Sequence, residues 1–122
     1  MTQYYHLQIF KSLYEFTIEL NTKIKKFKKY HRYTIGEKLF NLSLESCVGV
    51  YRANSAKNLK QRIEHVSKIL EYIQTIFILL RISVDTQAIT KENYSSLLLL
   101  LKNCEKQLFG WLSYCESLTH DK

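Results

Sequence analysis

Proline is absent from the sequence, and glycine occurs only three times in 122 residues, at Gly36, Gly49 and Gly110. β-Sandwiches and barrels need many tight turns, which usually contain these two residue types. Their scarcity therefore argues against an all-β fold and favours long helices with short connections.

Long apolar runs and targeting signals are also missing. The most apolar stretch, residues 76–84, is interrupted by Arg81 and is far shorter than the roughly 20 residues needed to span a bilayer. The first residues contain no basic stretch followed by an apolar run, so no signal peptide is predicted. We expect a cytoplasmic protein that does not enter a membrane.

Cysteine and histidine are few and scattered. The three cysteines, Cys47, Cys104 and Cys115, form no CxxC pair, which argues against a disulfide framework or a zinc site. The four histidines form no HxxxH or ExxH pair, so a metal site built from them is not expected. We interpret the cysteines as small core residues of a protein from a reducing compartment.

The signatures of common enzymes are lacking as well. The sequence contains neither GxSxG nor GxxxxGK[ST], the motifs of nucleophile elbows and phosphate-binding loops. Glu15 and Glu19 are one helical turn apart, but neither belongs to a Glu-x-x-His pair, which argues against a di-metal bundle. The sequence therefore predicts a non-catalytic protein without catalytic residues, metal or cofactor.

Four periodic segments account for most of the chain. Apolar residues make up 46% of the sequence and recur at alternating spacings of three and four, as on one face of an amphipathic helix. The segments are 4–28, 34–53, 57–84 and 91–117. Joined by short loops, they predict a single domain, residues 1–122, folded as an antiparallel up-down-up-down four-helix bundle.

Local patterns predict how these helices begin and which sides are buried. Thr34 with Glu37 has the form of a capping box, which predicts a helix start at Thr34, and Thr90 is a suitable cap for the fourth helix. Ile76 and Ile78 help to make the second half of the third helix apolar nearly all round, so we expect this half to be the most buried part of the protein. The first helix has a predicted core stripe widened by Ile9 and Phe16: Phe10, Leu13, Thr17, Leu20, Ile24 and Phe27.

The second helix has two apolar faces. One face contains small residues, Ser46, Gly49 and Ala53, which would let another helix approach closely. The opposite face has more apolar surface than one small bundle usually covers and is a candidate oligomer interface, comprising Phe40, Leu44, Cys47 and Tyr51. The alternative is that these side chains simply cover the edges of the core.

The formal net charge of +7 is concentrated in one stretch. Between Lys11 and Lys38, eight lysines and arginines oppose three glutamates, which supplies five of the seven net charges. Tyr30, Tyr33 and Phe27 lie among these cations, a combination that favours phosphate binding with some base stacking. We predict contact with nucleic acid here. A solvated basic face is one alternative, and an acidic membrane surface is a weaker one.

Three further cations lie outside this stretch. Arg52 and Lys57 close the second helix, where they either form a separate basic point or only complement a helix C-terminus. Arg81 lies within an apolar run, so it either forms a structural salt bridge or lines an aqueous surface.

Several motifs together resemble a known family. They are KFKKYHRYTIGEKL at residues 26–39, RAN at 52–54 followed by Lys57, LLRI at 79–82 and GWL at 110–112. In this order and spacing they are similar to a four-helix-bundle family. It includes Avd, the accessory variability determinants of diversity-generating retroelements, and proteins encoded in intervening sequences of bacterial large-subunit ribosomal RNA genes. The resemblance covers roughly residues 5–118.

The resemblance implies a barrel-like homopentamer of basic four-helix bundles. For the retroelement branch it also implies binding to the reverse transcriptase and to RNA or DNA while adenine-mutagenised complementary DNA is made. The positions carried over as nucleic-acid or polymerase contacts are Lys25, Lys26, Lys28, Lys29, Arg32, Arg52, Lys57 and Arg81. The ribosomal branch, and a self-assembling bundle that binds protein but no nucleic acid, are the alternatives.

The first connection departs from the family pattern. Family members often have a proline there, whereas this chain has lysines and no proline. We therefore expect the first helix to continue to about residue 28.

Overall fold

Helices make up nearly all of the described chain. The structure, a computed structural model, describes the backbone of residues 2–120 and the side chains of residues 6–119, so Met1 and the first side chains, on which the signal-peptide prediction partly rests, lie outside it. In chain order the helices are α1 (Thr2–Ile24), α2 (Lys29–His31), a π-helical turn (Arg32–Gly36), α3 (Glu37–Asn54), α4 (Leu59–Asp85) and α5 (Lys91–His120). Residues 2–120 contain no strand, which confirms the prediction of an all-helical fold.

The four long helices enclose one core. α1 packs against α3 and α5, and α4 packs against the same two helices. Along the α3–α4 contact, Gly49 meets Ile69, and the carbonyl of Ala53 accepts a hydrogen bond from Arg62 Nε at 3.0 Å. Each long helix contributes fully buried side chains, among them Leu20, Leu39, Ile73 and Trp111.

The predicted core stripe of α1 is confirmed except at Phe10, because its other members are all buried: Leu13, Thr17, Leu20, Ile24 and Phe27. Ile9, Leu13, Phe16 and Leu20 are fully buried, whereas Phe10 is 42% exposed. Phe10 also fits the helical spacing of the exposed side chains Leu7, Tyr14 and Ile18, so the spacing alone could not assign it to one stripe.

The end of α1 comes earlier than predicted. The helix stops at Ile24, and the tighter bonds Lys26 N–H to Lys23 O (3.0 Å) and Phe27 N–H to Ile24 O (2.9 Å) complete its last turn. Lys28 then adopts an extended backbone, with φ −60° and ψ 151°, which separates α1 from α2. The prediction that α1 continues to about residue 28 is therefore wrong.

The predicted helix start at Thr34 is also wrong. The backbone is helical from Lys29 through the π-helical turn into α3. Thr34 Oγ1 donates a hydrogen bond back to Tyr30 O at 2.8 Å, as a threonine inside a helix does. The cap predicted at Thr90 is confirmed, because its Oγ1 accepts from Asn93 N–H at 3.1 Å.

Small residues on α3 allow α4 to approach, as predicted. A Cβ atom built on Gly49 would lie 2.7 Å from Ile69 Cγ1, closer than van der Waals contact permits. Only glycine fits at this crossing without displacement of a neighbour.

The second half of α4 is less buried than predicted. Ile69, Ile73 and Ile76 are buried, but Ile78 is 61% exposed. The side chain of Ile78 lies on the face of α4 that turns away from α3 and α5. No helix within residues 2–120 is both long and apolar enough to cross a membrane.

Candidate nucleic-acid interface

Five cations come together at the connection between α1 and α3. Lys25, Lys26 and Lys28 lie on the connection itself, Lys29 begins α2, and Arg32 begins the π-helical turn. We call these five residues the basic corner. All four lysines are exposed, and Arg32 is half-buried.

Two buried apolar side chains hold this connection in place. Ile24 and Phe27 are buried, and both contact Gly36, where an added Cβ would lie 3.0 Å from Ile24 Cγ2 and 3.4 Å from Phe27 Cδ2. With these two side chains turned inward, Lys25 and Lys26 between them face solvent. The predicted role of Phe27 in base stacking is therefore wrong, because only 4% of its surface is accessible.

The basic corner has no acidic partner among the described side chains. Within residues 6–119 the ion pairs are Lys23–Glu19, Arg52–Glu45, Lys68–Glu71 and Arg81–Asp85, and none involves the five residues of the corner. Its positive charge is thus directed to solvent rather than neutralised by the neighbouring part of the protein.

Arg32 differs from the four lysines in its surroundings. Its guanidinium carbon lies 5.5 Å from the centroid of the Tyr33 ring, a cation–π distance. Its Nε is buried without a hydrogen-bond acceptor in the described part of the chain. Arg32 therefore combines a packed side chain with unused donor capacity.

A groove extends the basic corner towards the loop between α4 and α5. It encloses about 580 Å³ and is lined by Lys26, Lys28 and Lys91 together with the loop residues that end at Thr90. We call it the lysine groove. Lys91 was not predicted as a site residue, although the cap at Thr90 and the short loop before it were visible in the sequence.

The other predicted contacts lie elsewhere or already have partners. Arg52 is some 20 residues from Arg32 along a helix, which corresponds to about 30 Å, and it pairs with Glu45 at 4.0 Å. Lys57 is exposed on the connection after α3. Arg81 Nε donates to Asp85 Oδ2 at 3.1 Å, and its side chain is also exposed, so both alternatives given for it hold.

The α3–α4 connection depends on an arginine that sequence reasoning missed. Arg62 donates from Nε to Ala53 O at 3.0 Å and from Nη2 to Asn54 O at 3.3 Å. These carbonyls belong to the last turn of α3, which has no further helical donors. Arg62 is therefore a structural residue rather than a ligand contact.

The predicted oligomer interface divides into two kinds of residue. Phe40 and Cys47 are half-buried and pack against the core, as the edge-covering alternative describes, whereas Leu44 and Tyr51 are exposed. Neighbouring α1 also exposes apolar side chains at helical spacing. Thr17 of α1 contacts Ser43 of α3, and successive side chains of a helix are about 100° apart around its axis. Measured from this contact, the exposed apolar residues of α1 and those of α3 lie on the same side of the helix pair, away from the core. We call this the α1–α3 face: Leu7, Phe10, Tyr14, Ile18, Phe40, Leu44, Val48 and Tyr51.

The three cysteines have environments that suppress thiol reactivity. Cys104 and Cys115 are buried, which confirms their predicted place in the core, and Cys47 packs at its edge. Burial raises the pKa of Cys104 to about 12 and raises the pKa of Cys47 and of Cys115 above the ordinary value. Such thiols are protonated near neutral pH and are poor nucleophiles.

Comparison with known proteins shows a likeness of fold. No family model and no curated protein matches this chain. The structure does match the crystal structure of a protein of unknown function from the S23 ribosomal protein family of Bacteroides thetaiotaomicron. The TM-score is 0.82 at 14% identity, over 89% of this chain and 98% of the other. At this identity the likeness shows the helical fold alone.

Proposed function

We propose that this protein is a non-catalytic accessory subunit that binds RNA or DNA through the basic corner. The observation that carries the proposal is the group of four exposed lysines and Arg32 without an acidic partner among the described side chains. Lysine and arginine contacts to phosphates supply most of the non-specific affinity for nucleic acids, because they release condensed counterions.

Local electrostatics also favour an anionic ligand. No acidic residue occupies the first turn of the helix that begins at Lys29, and the Lys28 side chain does not cap it. Cations at a helix N-terminus interact unfavourably with the helix dipole. A bound phosphate would relieve this repulsion.

The biological setting we propose is a diversity-generating retroelement, where the protein would bind the reverse transcriptase and its nucleic acid. The order of motifs at 26–39, 52–54, 79–82 and 110–112 supports this setting. The ribosomal RNA intervening-sequence branch is the alternative, and the likeness to a structure from a ribosomal protein family keeps it open. An adjacent reverse-transcriptase gene with template and variable repeats would favour the first setting.

We also propose that five antiparallel bundles assemble into a ring. The α1–α3 face supports this, since contiguous exposed apolar surface on a folded domain commonly marks an interface. Contacts between early α3 and late α4, and between late α3 and early α4, support the antiparallel order. A ring would present several basic corners to one strand, so that later contacts benefit from effective concentration.

Charge reversal tests nucleic-acid binding directly. In a variant with Lys25→Glu, Lys26→Glu and Lys29→Glu, affinity for a labelled RNA should fall at least a hundredfold, because about three phosphate contacts become repulsive. Binding is measured by fluorescence anisotropy, and the particle mass by light scattering should not change.

The matched control places the same charge change elsewhere. Lys60, Lys102 and Lys106 are exposed and outside the basic corner, so Lys60→Glu, Lys102→Glu and Lys106→Glu should leave most of the affinity intact. Equal losses in both variants would mean that only net charge matters. No loss in either would favour the protein-interaction bundle, whose basic residues serve solubility alone.

A further inference from the structure

A second groove adjoins the basic corner and has a different character. It encloses about 280 Å³ between residues 30–38, which run from α2 through the π-helical turn into α3, and the end of α4. Ile35, Leu79 and Ile82 form its apolar floor, and Tyr30 stands at its rim with 74% of its surface exposed. We call it the base groove, because an apolar surface beside an exposed aromatic ring suits a heteroaromatic ring.

The polar rim of the base groove offers groups that a nucleobase can use. The hydroxyls of Thr34 and Thr86 donate to the backbone carbonyls of Tyr30 and Ile82, each at 2.8 Å. Their oxygen lone pairs therefore remain available as acceptors. Lys38 lines the same groove and supplies donors. The edge of a nucleobase has both hydrogen-bond donors and acceptors. Its donors can bind the two threonine oxygens, and its acceptors can bind the Lys38 ammonium group.

The base groove and the lysine groove lie on two sides of one turn. Ile82 and Thr86 line the first, and Asp85 between them lines the second. On the opposite wall, Lys28 and Tyr30 are two residues apart in the chain and line the lysine and base grooves respectively. Asp85, whose carboxylate lines the lysine groove, is already paired with Arg81 at 3.1 Å.

We infer that the ligand is single-stranded nucleic acid, with its phosphates in the lysine groove and an unstacked base in the base groove. This inference rests on the proposed function and narrows its ligand class. In a duplex the bases are stacked and paired, so proteins contact their edges in the grooves and no base is free to enter the base groove. Aromatic side chains beside a cationic track are the usual means of binding single strands with little sequence preference.

Four labelled probes of equal length test the inference by fluorescence anisotropy. They are oligouridylate, oligothymidylate, an abasic deoxyribose-phosphate strand and a duplex DNA. Wild-type protein should bind both base-carrying strands at least fivefold more tightly than the abasic strand and the duplex. The ratio between the RNA and DNA strands then identifies the preferred sugar, because neither groove by itself selects a 2′-hydroxyl.

Substitutions at Tyr30 test the role of the ring. Tyr30→Ala should weaken binding of the two base-carrying strands by about five- to a hundredfold, the usual loss when one base stack is removed. The abasic strand and the duplex should be unaffected. Tyr30→Phe should restore binding because it keeps the ring. Phe109→Ala removes a half-exposed aromatic side chain of α5 that lines neither groove and should change nothing.

The outcomes separate this inference from the proposed function. Equal affinity for the two base-carrying strands, the abasic strand and the duplex would overturn the inference. The proposed function would still stand if the variant with Lys25→Glu, Lys26→Glu and Lys29→Glu loses affinity for all four probes. A Tyr30→Ala variant that binds every probe like wild type, or weakens every probe alike, would also overturn it. If wild-type protein binds none of the probes, the proposed function itself fails.

Discussion

Ile24 and Phe27 determine where the lysines of the basic corner point. Because both side chains are buried against Gly36, Lys25 and Lys26 must project outward, and Lys28 follows in an extended conformation. The sequence showed the lysines and placed Phe27 in the core stripe. The exposed orientation of the corner depends on packing against Gly36, a contact between α1 and α3 that no local pattern contains.

Gly49 in α3 and Gly110 in α5 should respond oppositely to alanine substitution. Gly49→Ala should lower the free energy of unfolding by about 1 kcal/mol, because overpacking against Ile69 costs about 1–3 kcal/mol and exceeds the gain in helix propensity. Gly110→Ala should raise it by about 0.5–1 kcal/mol, because nothing lies within 4 Å of the new Cβ and only the propensity gain remains. Urea unfolding followed by circular dichroism measures both.

Stabilisation by Gly49→Ala would contradict the close approach of α3 and α4.

At the residue scale, the small side chains of Ser46, Gly49 and Ala53 predicted this close approach correctly. The sequence pattern placed Ile9 correctly on the core side but misplaced Phe10, because α1 has a second apolar stripe that lies outside the core.

Helix boundaries are the feature that local patterns described least well. Thr34 and Glu37 have capping-box spacing, yet the helix already runs from Lys29, because Lys28 is the residue with extended backbone. The side chain of Asn58 is a true N-cap, since its Oδ1 accepts from Gln61 N–H at 2.9 Å. A Thr-x-x-Glu pattern inside a helix and one at its start are identical as sequence, and only the conformation of the preceding residues separates them.

Alanine substitutions at these two positions should therefore differ in effect. Asn58→Ala should lower the free energy of unfolding by about 1 kcal/mol, the usual cost of losing an N-cap. Thr34→Ala should be neutral or slightly stabilising, because alanine has the higher helix propensity within a helix. Thermal or urea unfolding measures both, and a loss of about 1 kcal/mol for Thr34→Ala would restore the capping-box interpretation.

At the scale of the whole molecule, the long helices and their number followed from periodicity alone, because each helix has at least one continuous apolar stripe. The proposed assembly did not follow from periodicity. The second apolar face of α3 was visible in the sequence, but its continuation on α1 depends on how Thr17 and Ser43 set the two helices side by side. The lysine and base grooves likewise combine residues from separate helices and loops, which no single segment reveals.

Placing charge on the α1–α3 face should dissociate the proposed ring. With Ile18→Lys and Leu44→Lys, both at exposed positions, the particle mass should fall from five protomers of 14.6 kDa, about 73 kDa, to one. Buried unpaired ammonium groups would make assembly unfavourable, while the monomer stays folded. Sedimentation or light scattering measures the mass.

The control for this experiment is Ile78→Lys, which adds a lysine to an exposed apolar position of α4 away from the α1–α3 face. It should leave the mass unchanged. A wild-type protein that is monomeric at every concentration, or a double variant that still assembles, would refute the assignment of this face.

The salt dependence of single-strand binding tests the central claim most directly. If the five cations of the basic corner contact phosphates, the logarithm of the binding constant should fall with the logarithm of salt concentration with a slope of about −3.5 per protomer. Replacement of Lys25, Lys26 and Lys29 by glutamine should reduce the slope by about 2. An affinity that does not change with salt, or a slope that is the same in both proteins, would contradict the account.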